Sequence, residues 1–179
     1  MSPRALVIIA QEGFQDKELE GTRNGLLAAG FEVVLASTEA GSCVGKFGST
    51  EQAQIALKNV DVSKYDRIAY IGGPGAGKLK DDQDAKRIAV ETVEAGKPLG
   101  AICIAPTILA AAGGLKGKKA TVWDENGEQK RFLTKHGATY TGEPVTVDGL
   151  IVTGNGPEAA EEFGKAMAGS FSSANNVVI

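Results

Sequence analysis

The sequence is poor in the side chains that build metal centres and stapled scaffolds. Its 179 residues hold two cysteines, Cys43 and Cys103, and one histidine, His136. Two cysteines cannot form a disulfide framework. Two isolated cysteines and one histidine also leave too few soft ligands for a zinc site, so no metal or other cofactor is expected. Aromatic residues make up only 6%, and Trp123 is the single tryptophan. No apolar run approaches the ~20 residues of a membrane-spanning helix, so no membrane partner is expected. The apolar stretch in MSPRALVIIAQEG is too short for a signal-peptide core and reads better as a first strand, which predicts a cytoplasmic protein. Excess positive charge is missing as well. The net charge is −3, which argues against nucleic acid as a main partner.

What is present is ordinary globular composition, with 42% hydrophobic and 23% charged residues. Disorder is excluded for most of the chain. The length fits one domain spanning 1–179 with a real core, and the tail from Gly169 is expected to fray. Glycine is abundant, at 24 residues without a collagen-like period, so it marks tight turns and close backbone approaches.

Strand and helix patterns alternate along the chain. Ala5–Ala10, Glu32–Ser37, Arg67–Ile71 and Pro98–Cys103 read as strands, with Ala120–Trp123 and Leu150–Thr153 as later ones. Asp16–Ala29, Asp82–Ala95, Pro106–Ala112 and Glu158–Ala168 read as helices. In the second helix Ile88, Val90 and Val93 are the buried candidates. Gly41–Leu57 is irregular and reads as a loop or a small hairpin. The alternation predicts a parallel sheet covered on both faces, with a ligand site beyond the carboxyl ends of the strands. Three stretches fall at that edge: Gly72–Gly77, Cys103–Pro106 and the start of the first helix with Glu18.

Cys103 follows an apolar strand and leads directly into a helix start, the context of a nucleophile elbow. Gly100 and Ala105 supply the small bulk that a sharp turn needs. The following helix would lower the thiol pKa with its positive end. Read apart from its neighbours, the segment is equally compatible with a buried, inert cysteine. Glu18 shares the first helical turn with Asp16 and Glu20, where acids are common for dipole reasons alone. Beside Cys103 it becomes a candidate proton partner. Gly72–Lys78 matches the spacing of a phosphate-binding loop, but Leu79 stands where a magnesium-binding Ser or Thr is required. The other functional use of these glycines is an oxyanion site. His136 lies in a polar, turn-like stretch, and Cys43 in a Gly/Ser-rich loop with no flanking motif. Trp123, at the end of the fifth expected strand, reads as a core or pocket-rim residue.

Four stretches, taken in order, resemble the DJ-one (ThiJ)/PfpI superfamily. They are ALVIIAQEGFQDKELEGTRNGLLAAGFEVVLAS, YIGGPGAG, KPLGAICIAPTILAAAGGLKGKKAT and GATYTGEPVTVDGLIVTGNGP. The resemblance implies a flavodoxin-like three-layer α/β/α sandwich with a mostly parallel sheet, and a homodimer or higher homo-oligomer. It implies an active cysteine at Cys103, a partner glutamate at Glu18, and oxyanion or substrate-binding amides at Gly72, Gly73 and Ile104. The chain departs from the family at four positions. Ile104 replaces the histidine that follows the cysteine in protease-like members. Trp123 replaces a histidine found after the fifth strand in others. Gln15 replaces an acid in the first-helix loop, and Asn155 an arginine before the late Gly-Pro. Trp123 and Asn155 are rim candidates, and a neighbouring subunit could supply His136.

The resemblance implies chemistry on small reactive carbonyls, either glyoxalase-type conversion or deglycation. The alternatives are an oxidative-stress sensor or chaperone-like protein acting through Cys103 oxidation, a PfpI-type cysteine peptidase disfavoured by Ile104, and a nucleotide-binding module using Gly72–Lys78.

Overall fold

A computed structural model describes residues 1–169 and the backbone of 171–172 and 177–178. The expectation of a frayed tail after Gly169 falls largely outside the described residues. The first strand, β1 (Arg4–Ile8), shows how the sequence sets the layers. Alternate side chains along a strand point to opposite faces. Leu6 and Ile8 enter one buried cluster, with Ile88, Ile108, Leu109 and Leu133. Ala5 and Val7 enter the other, with Leu19, Leu26, Phe163 and Met167. A strand apolar on both faces must lie between two helical layers.

The chain continues through β2 (Glu12–Phe14), helix α1 (Asp16–Ala28), β3 (Glu32–Ser37), β4 (Gly41–Gly45), β5 (Thr50–Ala53) and β6 (Ile55–Ala56). Next come β7 (Arg67–Tyr70), α2 (Gln83–Glu94), β8 (Leu99–Ile102), α3 (Pro106–Ala111) and β9 (Lys119–Ala120). The described chain closes with α4 (Glu128–Lys135), β10 (Thr139–Tyr140), β11 (Val145–Asp148), β12 (Ile151–Gly154) and α5 (Ala160–Ala168). The central sheet has the order β11-β12-β8-β7-β1-β3-β6. All its pairings are parallel except β11 against β12. Strand order reverses between β1 and β7, which opens a crevice at their carboxyl ends.

The structure corrects several expectations. Ala120–Trp123 is not a strand of the central sheet; only Lys119–Ala120 is extended, and it pairs with β10. Val90 and Val93 are exposed, and α2 instead buries Ala85, Ile88, Ala89 and Thr92, the true three-and-four spacing. Gly41–Leu57 is an ordered hairpin, β4–β5, followed by an edge strand. α4 and β11 have no counterpart in the sequence reading. Gly100 serves packing rather than the elbow, because a Cβ there would lie 3.0 Å from Phe163 Cζ of α5.

Helices α1 and α5 cross with almost no side chain between them. A Cβ on Gly25 would lie 2.5 Å from the Gly164 carbonyl carbon, and one on Gly21 would lie 2.7 Å from that of Ala160. Alanine in a free helix is favoured over glycine by about 1 kcal/mol. Here the sign reverses, because overpacking costs about 1–3 kcal/mol. Gly25→Ala should therefore lower stability in urea unfolding; a variant as stable as the parent would show that the helices can part freely.

Candidate active site

Three chain segments meet at the carboxyl edge of the sheet, after β1, β7 and β8. Cys103 follows β8 at φ +67, the only non-glycine residue with positive φ among the described residues. Such a backbone costs about 1–3 kcal/mol and must be held by its surroundings. Its N–H donates to Gly154 O at 2.9 Å, and its carbonyl accepts from Trp123 N at 2.8 Å. Ala105 N closes the turn onto Ile102 O at 3.1 Å. The strained turn lifts the thiol away from the sheet into a partly open position, while Cys43 is fully buried.

Glu18, the third residue of α1, is fully buried. The Gln15 side chain caps this helix, its Oε1 accepting from Lys17 N at 2.7 Å and Glu18 N at 3.3 Å. Gly72 N donates to Glu18 Oε1 at 3.0 Å. The other oxygen, Oε2, is buried without a partner at hydrogen-bond distance, and the Cys103 side chain lies against the carboxyl. Burial pushes the Glu18 carboxyl up to about 7, against the pull of the Gly72 amide and the Cys103 side chain.

The sequence reading expects a lowered thiol pKa, and the structure reverses it. Burial, then the Glu18 charge, push the Cys103 thiol up to about 12, and the amides of Gly73 and Ile104 offset only part of this. When Glu18 holds a proton its opposing charge is gone and its O–H becomes a potential donor. The two groups therefore work as a unit, and the thiolate forms most readily beside a neutral Glu18.

The structure brings Cys103, Glu18, Gly72, Gly73 and Ile104 together. The Gly73 and Ile104 amides both act on the sulfur, the arrangement of an oxyanion hole. A pocket of about 380 Å³ opens over it, lined by Gln15, Lys46, Gly73, Pro74, Ile104, Trp123 and Pro157 around the cysteine. Trp123 is thus at the rim, but Asn155 is not among the lining residues, and Pro157 takes that place. His136 caps α4, its Nδ1 2.8 Å from Phe132 O, and does not line the pocket. Lys46 was missed because its hairpin reads as an irregular loop; the only sequence signal was turn chemistry, Gly45 and Gly48 flanking it. A larger groove, about 700 Å³, runs between α1 and α5 and holds none of the sequence-picked residues.

The phosphate-loop reading of Gly72–Lys78 does not fit this geometry. Gly72 N and Gly73 N point to Glu18 and Cys103, the segment runs into a 3₁₀ turn rather than an α-helix, and Leu79 is buried in the core. Among the described residues no cluster of His, Cys, Asp or Glu could hold a metal ion, and no helix is long and apolar enough to cross a membrane.

Comparison with known proteins agrees with this architecture. The sequence pattern of the DJ-1/PfpI family matches residues 3–169. The chain is 32% identical to the protein called deglycase TK1284 of Thermococcus kodakarensis, over 85% of this chain and 90% of that one. It is 30% identical to the glutathione-independent glyoxalase DJR-1.2 of Caenorhabditis elegans, over 89% of this chain and 83% of that one. A crystal structure of a ThiJ/PfpI domain protein from Brachyspira murdochii superposes with a TM-score of 0.88 at 26% identity, covering 92% of this chain and 94% of its own. With a flavodoxin-like sandwich that carries a cysteine elbow beside a buried glutamate, this chain belongs to the DJ-1/PfpI family.

Proposed function

We propose that the protein is an enzyme acting on small reactive carbonyls through Cys103, in a glyoxalase-type conversion of 2-oxoaldehydes or in deglycation of their early adducts. The observation that carries this reading is the strained Cys103 elbow with a buried Glu18 behind the sulfur and two backbone amides facing it. The names borne by the deglycase and glyoxalase relatives support the same class.

For methylglyoxal, Cys103 sulfur attacks the aldehyde carbon and a hemithioacetal forms. The new oxyanion lies against the Gly73 and Ile104 amides. Glu18 accepts the thiol proton as the C–S bond forms; a carboxyl titrating near 7 suits a proton carrier at neutral pH. Glu18 returns that proton to the oxyanion, giving the neutral hemithioacetal. Again a carboxylate, it then moves a proton from the former aldehyde carbon to the neighbouring one, while the hydroxyl proton passes to the neighbouring oxygen. The first carbon is oxidised to a thioester and the second reduced to an alcohol, so no outside oxidant is needed. Water cleaves the thioester, releasing lactate and restoring the thiol. Deglycation of an early adduct begins with the same attack. A small pocket with an apolar wall of Pro74, Ile104, Trp123 and Pro157 suits substrates of this size. Peptidase chemistry is disfavoured, because Ile104 occupies the place of an activating histidine. The sensor alternative needs a standing thiolate, which burial beside Glu18 opposes.

Cys103→Ser should abolish methylglyoxal consumption, followed by loss of the dicarbonyl and appearance of lactate. Turnover equal to the parent would remove Cys103 from the reaction. Iodoacetamide at pH 8 should label Cys103 and spare the fully buried Cys43 in the intact protein, read by peptide mass spectrometry. Labelling of both at equal rates would contradict the described burial.

Glu18 also sets a pH dependence of stability. Its carboxyl titrates near 4.5 when unfolded and at about 7 when folded. Between these values the folded chain holds a proton that the unfolded chain has lost. Stability therefore falls as pH rises through that window. The full shift corresponds to about 3 kcal/mol at pH 8. Glu18→Gln stays neutral and keeps an oxygen for the Gly72 amide. It should be more stable than the parent at pH 8 by up to about 3 kcal/mol and nearly equal at about pH 4 in urea unfolding. No gain at pH 8 would mean that the Glu18 charge is fully compensated in the fold.

A further inference from the structure

Among the described residues, Lys46 is the one cationic side chain in the wall of the Cys103 pocket, and no carboxylate shares that wall. It is exposed at the mouth and enters no salt bridge among the described residues. Its position is fixed by backbone. Lys46 N donates to Phe14 O at 2.8 Å, and Gly45 N to Ser49 O at 2.8 Å. The acid that could have neutralised it is already engaged: Asp16 accepts from Phe47 N at 2.9 Å and Ser49 N at 3.0 Å through its two oxygens. The other nearby acid, Glu18, feels the Lys46 charge but is buried and makes no salt bridge with it. The ammonium lies 5.3 Å over the Phe47 ring, a contact that leaves its charge unneutralised. An ammonium without a carboxylate partner at the mouth of a small, largely apolar pocket favours an anionic substituent on what enters.

We infer that Lys46 is a specificity-determining residue that selects carbonyl substrates bearing a carboxylate, holding that group at the mouth while the carbonyl carbon meets Cys103. One ammonium matches one carboxylate, whereas a phosphate dianion would call for further cations that this wall does not hold. This inference rests on the reading of Cys103 as the nucleophile.

The test compares two alkylating reagents of similar size, iodoacetate and iodoacetamide. In both the Cys103 sulfur displaces iodide and a thioether forms; only the first carries a carboxylate. The readout is the ratio of the two rates at Cys103, each divided by its rate with N-acetylcysteine, so a change common to both reagents cancels. Lys46→Met should lower this ratio about fivefold at low salt, the effect of one partly screened charge at close range. Lys46→Arg should retain it, and 0.5 M salt should shrink the difference between parent and Lys46→Met. An equal ratio in parent and Lys46→Met, with Cys103 reactive, would overturn the role of Lys46 and leave the nucleophile reading standing. Failure of Cys103 to react with either reagent would overturn both.

Discussion

A hydrogen bond from the Gly72 amide to the buried Glu18 carboxylate joins the end of β7 to the helix that follows β1, directly behind the cysteine that follows β8. Gly72 follows β7, Glu18 sits in the helix after β1, and Cys103 follows β8. The spacing admits almost no change. A Cβ on Gly72 would lie 2.5 Å from the Cys103 Cβ and 2.7 Å from Glu18 Oε1. Glycine at 72 is therefore required by its neighbours and not by its own torsion angles, since its φ is not positive. Gly73, which does have φ +112, presents its own amide to the sulfur. Both elements that act on Cys103, the carboxylate and the amides, depend on one side-chain-free corner of the chain.

That corner holds an electrostatic conflict. Burying a carboxylate with one hydrogen bond and one bare oxygen opposes folding at neutral pH. The same burial opposes ionisation of the thiol. A fold selected for stability alone would place a neutral side chain at position 18. What the carboxyl contributes is a proton acceptor that titrates near neutrality within reach of a sulfur, and a proton shared between two groups is cheaper to move than one held firmly by either. The penalty in stability and the capacity for chemistry have the same physical origin.

Much of this was legible in the sequence because it is local. The ALVIIA run fixed a two-sided strand, and Ala-Ile-Cys-Ile-Ala-Pro fixed a strand, a turn and a helix start at Cys103. The alternation of elements placed Glu18, Gly73 and Cys103 at one sheet edge. The failures concern distance and burial. Nothing in the residues near Cys103 records how much protein covers the thiol, so the expected lowering of its pKa missed the larger opposing effect. Trp123 reaches the pocket through its amide bond to the Cys103 carbonyl and not through a strand of the sheet, and that bond joins positions with no local pattern. The polar segment of α4, with Phe132 and Leu133 as its only large apolar residues, gave too weak a periodicity to be seen. Asn155 was placed by its proximity to the Gly-Pro pair, but the turn presents Pro157 instead.

The acids of α1 show where sequence reasoning stops and geometry begins. Asp16, Glu18 and Glu20 lie within one helical turn and a half, and each satisfies the same preference for acids near a helix N-terminus. A helix turns about 100° per residue, so positions two apart face in nearly opposite directions. Glu18 points inward to the sheet edge and is sealed there. Glu20 points to solvent. Asp16 meets the β4–β5 hairpin and binds its turn through both oxygens. The division of labour has a consequence for charge. Because Asp16 is spent on backbone amides, the hairpin is tied to α1 at the pocket mouth while its lysine enters no salt bridge among the described residues. The pitch of the helix sets Glu18 apart from the other two acids, and the β4–β5 hairpin then distinguishes Asp16, which it engages, from Glu20, which it leaves in solvent.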